Sequence, residues 1–248
     1  MIEQPVSQPL PGTFVQGEPA PILLSWSGGK DCLMALAALR DDPAWRVVAL
    51  LTTITGEFQR VSMHGIRRRV LRAQVAALGL PLIECSIDWP SSNAAYEAAH
   101  ANALRQAGER WPGLHHCAFG DLFLEDVRAY RKRQLAGAGW RGVFPLWGTD
   151  TRELARRFHA HGHRAVLTCV DTQQLDGSFS GREYDPSLLG ALPAGVDPCG
   201  ERGEFHTLSY AGPLFAEPLR LERGASTLRD NRFQYTDFIL SDRVAWPC

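Results

Sequence analysis

The chain has 248 residues, 45% hydrophobic and 21% charged, the balance of an ordinary globular protein with enough length for one large domain or two modest ones. A formal net charge of −1 gives no global basic field to draw in nucleic acid, and no apolar run is long enough to span a bilayer. The six cysteines (Cys32, Cys85, Cys117, Cys169, Cys199 and Cys248) are scattered with no C-x-x-C pair, which gives little support to a zinc site or redox couple and suggests reduced thiols in a cytoplasm.

Residues 1–21 contain Pro5, Pro9, Pro11, Pro19 and Pro21 with little apolar periodicity, and are expected to form a flexible tail. Glu3 and the prolines are unlike the basic start and apolar core of a secretory signal. Residues 22–26 are an apolar run that predicts a buried strand. The chain then turns through Gly28 and Gly29 into an Ala/Leu-rich helix predicted over 31–40. Glycines let successive N–H groups converge, and a helix start adds unpaired donors and partial positive charge, so Ser27-Gly28-Gly29-Lys30-Asp31-Cys32 forms a place to hold an anion. It is not the G-x-x-x-x-G-K-[ST] loop of kinases and GTPases.

Residues 46–52 predict a second, buried parallel strand, with Thr52 and Thr53 at its carboxyl end, the edge where ligands sit in open α/β sheets. A helix is predicted over 63–78: Ile66, Val70, Ala73 and Ala77 share one face, and Arg67, Arg68, Arg69 and Arg72 read as a solvated face. Strands at 82–87, 115–119 and 142–147 alternate with helices at 93–108 and 122–136. The pattern predicts an α/β fold with a doubly wound, five-stranded parallel sheet over 22–147. Beyond it the texture changes to a helix ending near 161, a strand at 165–170, a glycine- and proline-rich stretch, and alternating runs at 219–223 and 233–240. These predict a second, smaller α+β domain over 148–248 with antiparallel strands.

Two further places carry chemistry. Asp121 ends the fourth strand on the same edge as the glycine turn, where it either holds Mg²⁺ on phosphates or caps the next helix. Residues 199–208 concentrate Glu201, Glu204, His206 and Thr207 among glycines, either as site chemistry or as a solvated loop. His64 and His206 taken singly read as structural residues.

Ser27-Gly28-Gly29-Lys30-Asp31 resembles the PP-loop of the ATP pyrophosphatases, which share the adenine nucleotide alpha hydrolase-like fold. Met63-His64, Gln74, Leu78 to Pro81, Phe119 to Leu122, Pro145 to Trp147, Cys199 to Leu208 and Gly212 to Phe215 extend the likeness, in order, to the diphthine–ammonia ligase (diphthamide synthase) branch. Three positions depart from that pattern: Cys32 replaces a usual Ser, Arg202 a usual Gly, and His206 stands where an acid is common. The resemblance implies an ATP-dependent, AMP-forming ligase that adenylates a carboxylate and amidates it with ammonia. It implies that Ser27, Gly28, Gly29, Lys30, Asp31 and Cys32 hold the phosphates, that Thr52 and Thr53 flank the adenosine, and that Lys30, Asp121, Glu201 and Glu204 act in catalysis, with Asp121 on Mg²⁺. Expected partners are ATP, ammonia and an unidentified carboxylate acceptor, protein or small molecule. Neither a membrane nor nucleic acid is expected, and a homodimer stays open. The competing readings are a PP-loop enzyme transferring sulfur to tRNA and a non-catalytic ATP-binding sensor.

Overall fold

A computed structural model describes residues 18–241; the predicted tail therefore lies outside the described residues over 1–17, as does Cys248. The first strand, β1 (Ala20–Ser25), starts two residues before the expected position. It is followed by α1 (Lys30–Asp41), β2 (Trp45–Thr55), a two-residue β3 (Arg60–Val61), α2 (Arg68–Ala77), β4 (Leu82–Ile87), α3 (Asn93–Arg110), β5 (His116–Ala118), α4 (Glu125–Gly137) and β6 (Arg141–Val143). Strands β4, β2, β1, β5 and β6 lie side by side in parallel, and β3 folds back antiparallel on the end of β2, pairing Val61 with Ile54.

The apolar runs form strands because they are buried on both faces. In β1, Ile22 and Leu24 pack with Leu33, Leu36 and Leu39 of α1 and with Val70 and Leu71 of α2. Leu23, between them, faces Ala103, Leu104 and Ala107 of α3 and Leu135 of α4. Successive strand residues thus feed opposite helical layers, which is why no polar residue interrupts them. The carboxyl ends of β1 and β5 meet at the edge that carries the glycine turn and Asp121.

The second part comprises α5 (Thr151–Ala160), β7 (Arg164–Asp171), α6 (Pro186–Ala191), β8 (Phe205–Ala211), β9 (Leu221–Arg229) and β10 (Phe233–Leu240). Its four strands form an antiparallel sheet in the order β8-β7-β10-β9. Ala165, Leu167, Phe205 and Leu208 of this sheet join the same buried cluster as α1 and α2, so the antiparallel sheet is packed onto one helical layer of the parallel one.

Several element boundaries differ from expectation, the fifth strand among them, which ends at Val143 rather than Trp147; three differences have plain local reasons. Helix α2 begins at Arg68 rather than Met63, because Met63 (φ 64°) and Gly65 (φ 67°) take left-handed backbone that a helix cannot include. Helix α4 begins at Glu125, so Asp121 is not its cap. The stretch read as loop contains α6, started by Pro186 in its first turn and by the Asp185 carboxylate accepting the Leu188 N–H at 2.7 Å. Among the described residues no helix is long and apolar enough to cross a membrane.

Candidate functional site

The glycine turn is held from two sides. Gly28 adopts φ 86°, a conformation natural to glycine alone among ordinary residues. Its carbonyl accepts from the Gln74 amide nitrogen at 2.8 Å and from the Ser209 N–H at 2.8 Å. The Gln74 side chain, fully buried on α2, also donates to the Ser209 carbonyl and accepts from the Trp26 indole, so both its donors and its oxygen go to joining Trp26, the turn and β8. The Lys30 N–H, first in α1, donates to Thr207 Oγ1 at 3.0 Å. From the other side Gly120 approaches the start of α1 so closely that a Cβ there would lie 2.8 Å from the Asp31 carbonyl carbon.

These contacts leave a cavity of about 480 Å³ lined by the glycine turn, the 119–121 loop and the 199–207 segment. Lys30 is 3% exposed at its floor. Its ammonium donates to both oxygens of Asp31, at 2.9 and 2.8 Å, and to the Cys199 carbonyl, and it lies 5.5 Å from the ring centres of both Tyr184 and Phe205. Burial on its own would drive the proton off, but the negative charge of Asp31 and its neighbours outweighs it and holds the pKa above the ordinary lysine value. The Cys32 thiol donates to the Gly29 carbonyl at 3.0 Å, and burial pushes its pKa to about 11, so it sits as a neutral donor beside the Ser27 hydroxyl 3.6 Å away.

Glu201 crosses from the second part to the first: its carboxylate accepts the Leu122 N–H at 2.7 Å. Burial, with Asp31 and Asp121 adding negative charge nearby, raises its pKa to about 7, against the pull of that hydrogen bond. A carboxyl group that exchanges its proton near neutrality in a cavity is suited to general acid–base work. Its loop is braced from below by Asp197, a residue that drew no attention in the sequence. Asp197 accepts from the Cys199 N–H at 2.7 Å and from the Thr151 hydroxyl at 2.9 Å.

Of the predicted site residues, Ser27, Lys30, Asp31, Cys32, Asp121 and Glu201 line this one cavity, with Gly28 and Gly29 forming the turn beneath. Others lie elsewhere. Glu204 is 2% exposed and turned inward, its two oxygens accepting the Asp197 and Arg202 N–H groups at 3.0 and 2.9 Å, which makes it a loop brace. Thr52 is buried, its hydroxyl donating to the Trp26 carbonyl at 2.6 Å, and neither it nor Thr53 reaches the cavity wall. Asp121 is on the wall, but both its oxygens accept from Arg131, at 2.6 and 3.1 Å, and that guanidinium lies over the Phe119 ring. No cluster of three metal-ligating side chains occurs among the described residues.

The sequence reading also passed over a histidine pair. His64 and His206 lie against each other on the cavity wall, ring centres 4.5 Å apart and planes tilted by 36°, and His64 Nδ1 is 3.2 Å from the Thr207 carbonyl. Burial lowers the pKa of both, that of His64 to about 4, so both rings are neutral at pH 7. The signal available was their company in the sequence: His64 follows Met63 in one matched motif, and His206 lies inside the polar 199–208 cluster.

No curated protein matches the chain. A family model described as the diphthamide synthase C-terminal domain matches residues 150–236, a span that runs from the start of α5 into β10 and includes Asp197, Glu201, His206 and Thr207. A synthase domain of that description suggests ligase-type enzyme activity. Over residues 150–236, therefore, the chain is similar to the C-terminal domain of diphthamide synthases.

Proposed function

We propose that the protein is an AMP-forming ligase in which ATP activates a carboxylate as its adenylate and ammonia then displaces AMP to give an amide. The observation that carries this reading is the join between the two parts. The family-matched segment supplies Glu201, Thr207 and the Cys199 carbonyl to the same cavity into which the strand–glycine–helix turn of a PP-loop type presents Lys30.

The cavity fits a nucleotide by size, since small-ligand pockets run roughly 300–1,000 Å³, and by charge, since a helix start and a protonated lysine favour phosphate. Lys30 uses its three N–H donors on Asp31 and Cys199. The arriving phosphate replaces Asp31, whose side chain is 29% exposed, as the partner of that ammonium. Preorganised donors of this kind stabilise the charge that accumulates on departing pyrophosphate. Mg²⁺ fits as an ion carried in by ATP, because magnesium is ordinarily held by one or two carboxylates together with substrate phosphates. Asp121 is the carboxylate that would face it, and its contribution would be to neutralise phosphate charge. Glu201 takes the proton that nitrogen releases as the C–N bond forms, a transfer for which a pKa near 7 is well placed. Arg131 holds Asp121 against the wall and keeps a cation beside the reacting groups.

The test is pyrophosphate release from ATP and Mg²⁺, with ammonium and with an extract of small metabolites and proteins. Release that depends on the extract is the expected result, and it provides an assay for the acceptor. ATP binding without release under any mixture overturns the ligase reading in favour of a sensor. Sulfur transfer gains no support, because each free cysteine among the described residues is buried, with the Cys117, Cys169 and Cys199 thiols pushed up to about 12.

A further inference from the structure

A second groove, of about 560 Å³, opens beside the first. It is lined by five arginines, Arg60, Arg67, Arg68, Arg69 and Arg72, with Phe58 at its lip. The arginines are not a simple solvated face. Asp237 accepts from both Arg60 and Arg67, and Glu84 accepts from both Arg68 and Arg72, the latter two through paired N–H bonds of 2.6–3.0 Å. Each carboxylate therefore serves two guanidiniums, and each trio keeps one net positive charge. The carboxylates fix the guanidinium planes, while the outer edges remain 30–55% exposed.

Aromatic surface adjoins this charge. Phe58 is 45% exposed and Trp89 61% exposed, with ring centres 6.3 Å apart. The segment between Arg60 and Arg67 also carries Met63 and His64, which line the first cavity, so one short hairpin forms the ridge between the two depressions.

We infer that this groove docks single-stranded nucleic acid, with backbone phosphates on the arginine edges and a base against Trp89 and Phe58. Planar guanidinium forks match phosphate oxygens in pairs, and exposed aromatic faces beside a basic track are what an unpaired strand needs for stacking. A chain-wide charge of −1 does not bear against this, because at physiological salt charges separated by more than about 8 Å are largely screened and the local cluster sets the field. The inference stands apart from the ligase reading and uses none of its residues.

The experiment is the fluorescence anisotropy of a labelled single-stranded RNA titrated with the full-length protein at several salt concentrations. Arg72→Ala and Trp89→Ala alter two of the most exposed side chains, and a thermal melt confirms that each variant is folded. Saturable binding is expected, with a log–log salt slope near −2, from roughly 0.7 per phosphate for about three contacts. Arg72→Ala should flatten that slope by about 0.7, and Trp89→Ala should weaken binding roughly five- to a hundredfold. Lys30→Ala, which removes the cation of the other cavity, should leave the strand bound. Loss of RNA binding in a folded Lys30→Ala variant would put the RNA in the first cavity and overturn the assignment. Equal displacement by polyglutamate, with Trp89→Ala unchanged, would overturn it in favour of an acidic protein surface.

Discussion

The two depressions that flank the 60–67 hairpin are both built from cations paired with carboxylates, yet their surroundings give the pairs different work. In the first, Lys30 is shut away with Asp31, the Cys199 carbonyl and two aromatic rings, so its charge faces one small volume and any partner must meet it there. In the second, four arginines share Asp237 and Glu84 at the protein surface, where water and salt weaken each contact. Burial turns an ion pair into a specific and costly device. Exposure turns the same chemistry into a broad electrostatic surface whose strength comes from number.

Substitutions test that contrast by the size of their effects. Removing the ammonium with Lys30→Ala should cut pyrophosphate release by about 10²- to 10³-fold, the cost of losing one preorganised donor to a developing charge. Unchanged release in a steady-state assay would show that the buried pair is structural. Gly120→Ala comes next, because its new methyl group would meet the Asp31 backbone rather than a side chain that can move. A loss of about 1–3 kcal/mol in urea unfolding is expected, as for other overpacked sites, and full stability would mean that the two loops part at little cost.

The next comparison is in pH, and the two regions have opposite signs. The folded-state pKa of Glu201 lies near 7, above its unfolded value, so the native state binds more protons and Glu201 costs stability as pH rises from about 4.3 toward 7. Wild type should therefore lose melting temperature relative to Glu201→Gln between about pH 5 and pH 8. The difference between the two proteins removes the contribution of His64, which acts in reverse: its lowered pKa means stability lost as pH falls from about 6.5 through 4. Parallel melting curves for the two proteins would refute the raised carboxyl. The smallest effect belongs to the groove. Two arginines hold the Glu84 pKa down to about 2, so its stabilisation is full above the unfolded value and fades as pH falls toward 2. Glu84→Gln should cost about 1 kcal/mol at neutral pH, with the difference closing in acid. A loss as large as that of the buried site would erase the distinction between the two regions.

How far the sequence foretold this arrangement depended on how local each cause was. The apolar run before Gly28 and the Ala/Leu run after it are self-contained signals, and strand, turn and helix followed from them. Glu201 and Glu204 look equivalent three residues apart. They separate only because one reaches the Leu122 N–H, 79 residues away, while the other folds inward onto Asp197. Asp121 was weighed as a cap or a metal ligand, and its actual partner, Arg131, is a turn arrangement of α4 that no spacing rule isolates. Thr52 sat at the expected sheet edge, but side chains alternate along a strand, and its own points to the Trp26 carbonyl. The arginines of α2 read as solvated because their acids, Glu84 and Asp237, lie on strands that a helical wheel does not show.

The bond from the Lys30 N–H to Thr207 spans 177 positions of chain, and the one from Gln74 to Ser209 spans 135. The anion cradle is written near the start of the polypeptide, yet it is complete only when β8 closes over it. During synthesis, therefore, the parallel sheet emerges with its glycine turn, Gln74 and Lys30 unsupported until more than half the remaining chain has left the ribosome. The pocket is thus a late part of the molecule to acquire its shape, and a growing chain cannot engage its ligand there before the fold that must hold it is in place.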